Sequence, residues 1–287
     1  MSPETRISAS VPFWIALLCI AILAVVLLFS AIHFPAGTEA TTGFPESTGS
    51  PAITMPVGIC PAAVLAGPPV AVIPDTRAQE TIVLSRPPAD DRVQYTDRGF
   101  SEPVEASIAW WMSPGFMDNT TEFRGYERTT PEAKAAYPEE HRIFFSFIEH
   151  RLDSAESSSI IRHDTTLFRG ISPFVAGTVI NTSEYREPAF ASTSYDISFS
   201  LDAFAVRSPD GYRNVLVLSR QPGDHALYIN EDEREVLLPR GTDWSVVKAE
   251  NVENLSVNAD FPLHNRTTGT ASFDQVRLIF IREKPCT

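Results

Sequence analysis

The chain has 287 residues, 23 basic against 36 acidic side chains and a net charge of −13, with 43% hydrophobic and 10% aromatic residues. Beyond Asp75 the balance is still 22 basic to 32 acidic, or −10, which excludes a protein that tracks a phosphate backbone, so no nucleic acid is expected as a partner. The apolar content excludes global disorder of that part. The three cysteines, Cys19, Cys60 and Cys286, make neither a disulfide framework nor a zinc cluster, and no metal is expected; at most Cys60 and Cys286 pair.

Residues 11–29 are apolar throughout, and no charged side chain occurs over 7–34. That run crosses a bilayer as a helix and exceeds the apolar core of a cleaved signal peptide. Arg6 precedes it and no basic residue follows until Arg77, so the positive-inside rule places the N-terminus in the cytoplasm and the rest of the chain outside it, with the lipid bilayer as a partner. Asn119, Asn181, Asn254 and Asn265 stand in glycosylation sequons, which agrees with export. Residues 35–75 contain eight prolines and no basic residue, a composition that favours an extended stalk. The predicted organisation is a tip and transmembrane anchor over 1–34, a linker over 35–76 and a folded domain over 77–287.

Within the domain, helical spacing occurs over 101–112, around Trp110 and Trp111, and over 138–152. In the second helix Pro138 falls in the first turn, and Ile143, Phe144, Phe147, Ile148 and Leu152 are expected on a core-facing side. Short strands are expected at 165–171, 189–194, 212–219, 226–229, 235–239, 244–248 and 275–281, with a helix over 199–206. Helices followed by antiparallel-looking strands predict an α+β domain, N-terminal helices packed on a mostly antiparallel β-sandwich. There is no glycine-rich nucleotide loop of the Rossmann or P-loop type.

Three polar motifs stand on strand-like segments. Thr165-Thr166-Leu167-Phe168-Arg169-Gly170 ends a strand in an arginine and a glycine. On its own this reads as a turn arginine, and Phe123-Arg124-Gly125 shows how readily the tripeptide arises. Phe190-Ala191-Ser192-Thr193-Ser194 closes an apolar strand start with hydroxyls, which alone reads as an edge or a cap. In Glu233-Arg234-Glu235-Val236-Leu237-Leu238-Pro239-Arg240-Gly241, a strand would project Glu233 and Glu235 from one face, a costly pairing beside an apolar run unless it is used or solvated.

Taken in order, an arginine on a strand, Ser-Thr-Ser 23 residues later and a Glu-x-Glu ending 43 residues beyond Ser192 resemble the arginine-serine-glutamate class of mono-ADP-ribosyltransferases, such as clostridial binary toxins and vertebrate ecto-enzymes. The resemblance covers residues 144–282. It implies an ADP-ribosyltransferase-type sandwich whose substrate is NAD, with ADP-ribose passed to a protein acceptor as nicotinamide leaves. It also implies roles. Arg169 would bind the pyrophosphate through its planar guanidinium. Glu235 would hold the ribose 2′-hydroxyl and stabilise the sugar cation. Ser192 would orient Glu235, with Thr193 and Ser194 beside it in the NAD site, and the Gly170 backbone would approach the nicotinamide amide. Glu233, two before the catalytic glutamate, goes with arginine as acceptor in that class. One departure is the loop Asn230-Glu231-Asp232, short and acidic where toxin members carry a target-recognising aromatic; acidity there would suit a basic partner. On the same scaffold the alternatives are an NAD glycohydrolase and a non-catalytic anchored binding module.

Overall fold

Thr130 and Ser172 each start a helix by accepting a backbone N–H with a side-chain hydroxyl, from Ala133 at 3.3 Å and from Val175 at 3.4 Å. Asp196 does the same through its carboxylate, from Ser198 at 2.8 Å. These caps punctuate a computed structural model that describes residues 69–73, 80–113, 117–232, 234–263 and 269–284. The helices are α1 (Glu102–Met112), α2 (Met117–Arg128), α3 (Pro131–Lys134), α4 (Glu139–Ser157), α5 (Pro173–Thr182) and the single turn α6 (Ile197–Phe199), which runs into a π-helical turn at Ser200–Phe204.

The strands are β1 (Val72–Ile73), β2 (Thr81–Leu84), β3 (Thr165–Ile171), β4 (Glu184–Glu187), β5 (Ala191–Ser194), β6 (Arg213–Arg220), β7 (Leu227–Asn230), β8 (Glu235–Leu238), β9 (Thr242–Ala259) and β10 (Thr270–Glu283). They form one hydrogen-bonded path, β1-β9-β10-β6-β3-β5-β8-β7, with β2 and β4 also pairing to β9. The class is α+β as expected, but the sheet is mixed. β10 runs parallel to β6, and β1 and β2 run parallel to β9. The expected antiparallel sandwich is corrected to this extent because β10 reaches β6 from across the sheet instead of through a hairpin, a pairing that local alternation does not encode. β1 falls inside the segment expected to be linker.

Two apolar cores lie on opposite faces of β7 and β8, as a period of two requires. Leu227, Ile229 and Leu237 pack with Ile108, Trp111, Phe123, Phe145, Ile148 and Leu152 of the helices. Tyr228, Val236 and Leu238 enter the larger core with β3, β6, β9 and β10. Truncating one such buried leucine to alanine costs roughly 2–5 kcal/mol.

The core-facing side of α4 needs correction. Phe145, Ile148, Leu152 and Ala155 are buried, whereas Ile143, Phe144 and Phe147 are 64%, 42% and 48% exposed. Phe145, with ring centroids 5.4 Å from Phe123 and 5.2 Å from Tyr126, sets the rotation, and Pro138 is the N-cap instead of a first-turn residue. The helix expected over 199–206 is the α6 turn and its π extension. Among the described residues no helix is long and apolar enough to cross a membrane. The apolar run 11–29, Cys19, Cys60, Cys286, Asn265 and Glu233 lie outside the described residues.

Candidate active site

Adjacent strands bring the three motifs together. β3 meets β5 at Phe168 opposite Ser194, and β5 meets β8 with Ser194 opposite Glu235 and Ser192 opposite Leu237. Arg169, Gly170, Ser192, Thr193, Ser194 and Glu235 therefore line one cleft of about 250 Å³. The helical layer adds Arg124 and Arg128, and the turn after β5 adds Phe199, Ser200 and Phe204. Of the candidate site residues, Glu233 lies outside the described residues; Arg234 after it has a left-handed φ of 52°, which bends the chain into β8.

Glu235 stands at the first position of β8 and is buried beside Leu237 on the helix-facing side. Its Oε1 accepts a 3.1 Å hydrogen bond from the indole N–H of Trp111 on α1. The carboxylate is thus held from the helical layer. Ser192, in the same cleft, holds Arg169 through its backbone: its carbonyl accepts from the guanidinium at 2.7 Å. Thr193 turns to the other face and donates to the Val236 carbonyl at 2.6 Å, tying β5 to β8, while the Ser194 hydroxyl accepts from the Asp196 N–H at 3.0 Å.

The second anchor of Arg169 was not apparent in the sequence. Glu187, buried at the end of β4, accepts from Arg169 at 2.9 Å, from Arg128 through both oxygens at 2.8 and 2.9 Å, and from the Tyr185 hydroxyl at 2.9 Å. Burial pushes the pKa of Glu187 up, but the Arg128 hydrogen bond and the Arg169 and Arg128 charges outweigh it and hold the carboxyl below its usual range. The readable signal was Tyr185-Arg186-Glu187, in which alternation puts the tyrosine and the acid on one face.

Gly170 is required by packing. A Cβ there would lie 2.4 Å from the Ser200 carbonyl and 2.7 Å from the Ala205 nitrogen, so the π turn closes directly onto β3, where Ser200 also donates to the Phe168 carbonyl at 3.1 Å. The space a side chain at Gly170 would need is filled by the chain itself.

Arg124, on α2, lies over the Trp111 ring at 4.5 Å from its centroid. Burial, then repulsion by Arg169, lowers its pKa to about 10, which leaves it protonated at neutral pH. The loop before β8 is less acidic than its composition: Glu231 is held by Arg86 and Arg92, both at 3.2 Å, and by the Tyr228 hydroxyl at 2.7 Å.

No family model matches this chain, and no curated protein matches it. Among solved structures, the chain is similar to Plx2a, an ADP-ribosyltransferase toxin from Paenibacillus larvae, at 16% identity and a TM-score of 0.43, over 65% of this chain and 88% of that one. It is similar to Vis toxin, an ADP-ribosyltransferase from Vibrio splendidus, at 14% identity and a TM-score of 0.44, over 69% and 79%. It is also similar to the enzymatic component C2-I of the C2 toxin of Clostridium botulinum, at 14% identity and a TM-score of 0.44, over 64% and 44%. The chemistry open to this chain is set by the cleft's own residues.

Proposed function

We propose that this chain breaks the bond between nicotinamide and ribose in NAD and passes ADP-ribose to an acceptor, an arginine side chain. The observation that carries the reading is a buried carboxylate, Glu235, fixed by an indole N–H at 3.1 Å in a cleft whose other charged groups, Arg124, Arg128 and Arg169, are cations. A dinucleotide with an anionic diphosphate and a sugar that becomes a cation on reaction matches that distribution of charge. As the C1′–N bond breaks, nicotinamide departs neutral with the bonding electron pair, and the sugar takes up positive charge stabilised by Glu235. The acceptor nitrogen then bonds to C1′ and loses a proton. Glu233 is the group assigned to take that proton and to align the guanidinium. No metal is needed in this scheme, because the leaving group already carries positive charge in NAD.

A second reading, NAD hydrolysis with water as the acceptor, is favoured by the loop before β8. Glu231 is consumed by Arg86, Arg92 and Tyr228 and so offers little to a basic partner. The full chain incubated with labelled NAD, with and without the arginine mimic agmatine, separates the two. Arginine transfer predicts labelled agmatine, and its steep fall with retained hydrolysis in Glu233→Gln, since glutamine keeps the size but takes no proton. Free ADP-ribose alone, from the unmutated chain, makes it a glycohydrolase. NAD bound but uncleaved makes it a binding module. For location we propose an N-in single-pass anchor with the domain outside the cytoplasm; Asn181 and Asn254, two of the four sequon residues, are exposed.

A further inference from the structure

Two of the three cleft arginines are committed to the protein. Arg169 gives hydrogen bonds to the Ser192 carbonyl and to Glu187, and Arg128 grips both oxygens of the same glutamate. One buried carboxylate thus holds two guanidinium groups in place. Arg124 differs. Among the described residues it has no carboxylate in ion-pair contact. Among the described residues its Nε is buried without a hydrogen-bond partner, and its guanidinium lies over the face of Trp111. The charges that act on it are Arg169 and Arg128, which oppose its own charge, and Glu235 and Glu187, which favour it. A half-buried guanidinium whose Nε–H is buried without a partner, at the wall of a cleft, is a costly arrangement unless an anion completes it.

We propose that Arg124 is the residue that directly binds the substrate's diphosphate, and that Arg169 serves mainly as the strut holding β3, β4 and β5 around it. The assignment rests on the NAD reading above for the identity of the ligand. It places the phosphate-reading side chain on the same indole that holds Glu235. The ring of Trp111 carries Arg124 and its N–H carries the catalytic carboxylate, so α1 and α2 set the spacing between diphosphate and reacting sugar.

Calorimetric titration of the full chain in detergent micelles tests this with three probes: ADP-ribose, inorganic pyrophosphate and the phosphate-free nicotinamide riboside. Arg124→Gln should weaken ADP-ribose and pyrophosphate about ten- to a hundredfold and leave the riboside within about twofold, because only charge-assisted bonds to phosphate are lost. If Arg124→Gln lowers the melting temperature, Arg124→Lys decides: keeping the charge without the fork, it should weaken the phosphate-bearing probes several-fold and spare the riboside. Unchanged phosphate affinity in both variants overturns the assignment. So does equal weakening of all three probes, which would make Arg124 a support for Trp111. Pyrophosphate binding that is lost in Arg124→Gln, in a chain that binds neither NAD nor ADP-ribose, would leave the assignment standing and remove the NAD reading. An unmutated chain that binds neither phosphate-bearing probe removes the assignment itself.

Discussion

Trp111 is the residue on which the site turns, since its indole N–H is the hydrogen bond that fixes Glu235. Trp111→Phe keeps an aromatic face under Arg124 and against Phe123 and Phe190, whose centroids lie 6.3 and 6.2 Å away, and removes the N–H donor together with one ring of the indole. A hydrogen bond to a charged group contributes about 1.5–3 kcal/mol. Steady-state kinetics should therefore show kcat for nicotinamide release reduced roughly tenfold or more, with KM for NAD little changed and the fold intact by circular dichroism. An unaltered kcat would show that Glu235 does not depend on this bond. A second residue, Glu127, reports on pH. Burial, reinforced by Glu149, raises its pKa to about 8. The unfolded chain ionises near the ordinary carboxylate value while the folded one stays protonated, so this group erodes stability as pH rises from roughly 4.5 to 8. Glu127→Gln should raise the melting temperature at pH 8 and have almost no effect near pH 4. A constant difference across that range would contradict the shift.

At the scale of the element, the legible parts followed from local pattern, and the rest depended on tertiary partners. The strand at 165–171 matches β3 residue for residue, because apolar alternation and β-branched threonines leave one reading. α2 escaped because Thr120, Thr121 and Gly125 are poor helix formers and few apolar residues mark a face; it forms because Phe123 and Tyr126 are buried under α4. The face of α4 was misjudged in part, since Ile143, Phe144, Phe145, Phe147, Ile148 and Leu152 make two overlapping stripes and only the partner helices choose between them. Most of β9 was missed for its Asn and Glu content, although Val252, Leu255 and Val257 are fully buried. The packing of the π turn onto β3 carries its own prediction. Gly170→Ala forces a Cβ against the backbone of Ser200 and Ala205, which must shift because no flexible side chain can yield. Overpacking of this kind costs about 1–3 kcal/mol. Thermal melting should fall accordingly, and NAD should bind more weakly because Phe199 and Phe204 move with the turn. Wild-type melting and affinity together would show the approach to be looser than described.

Across the whole molecule, the ordered motifs at Arg169, Ser192 and Glu235 come to line one cleft because strand order, β3 to β5 to β8, converts distant sequence positions into neighbours. Their assigned partners were less legible: Glu187 and Trp111, which hold Arg169 and Glu235, come from β4 and α1, elements that carry no motif of their own. The parallel pairing of β10 with β6 was hidden for a related reason, since a parallel register is set by the course of the whole chain and not by a turn. The proposed reaction depends above all on Glu235 as the group that stabilises the departing sugar cation. The direct measurement is nicotinamide release from NAD by the full chain and by its Glu235→Gln variant, with NAD affinity measured on the same preparations. Removing one preorganised electrostatic group should slow release about 10²- to 10³-fold while affinity stays within a few-fold. Release at the unmutated rate from a folded Glu235→Gln protein would contradict that role.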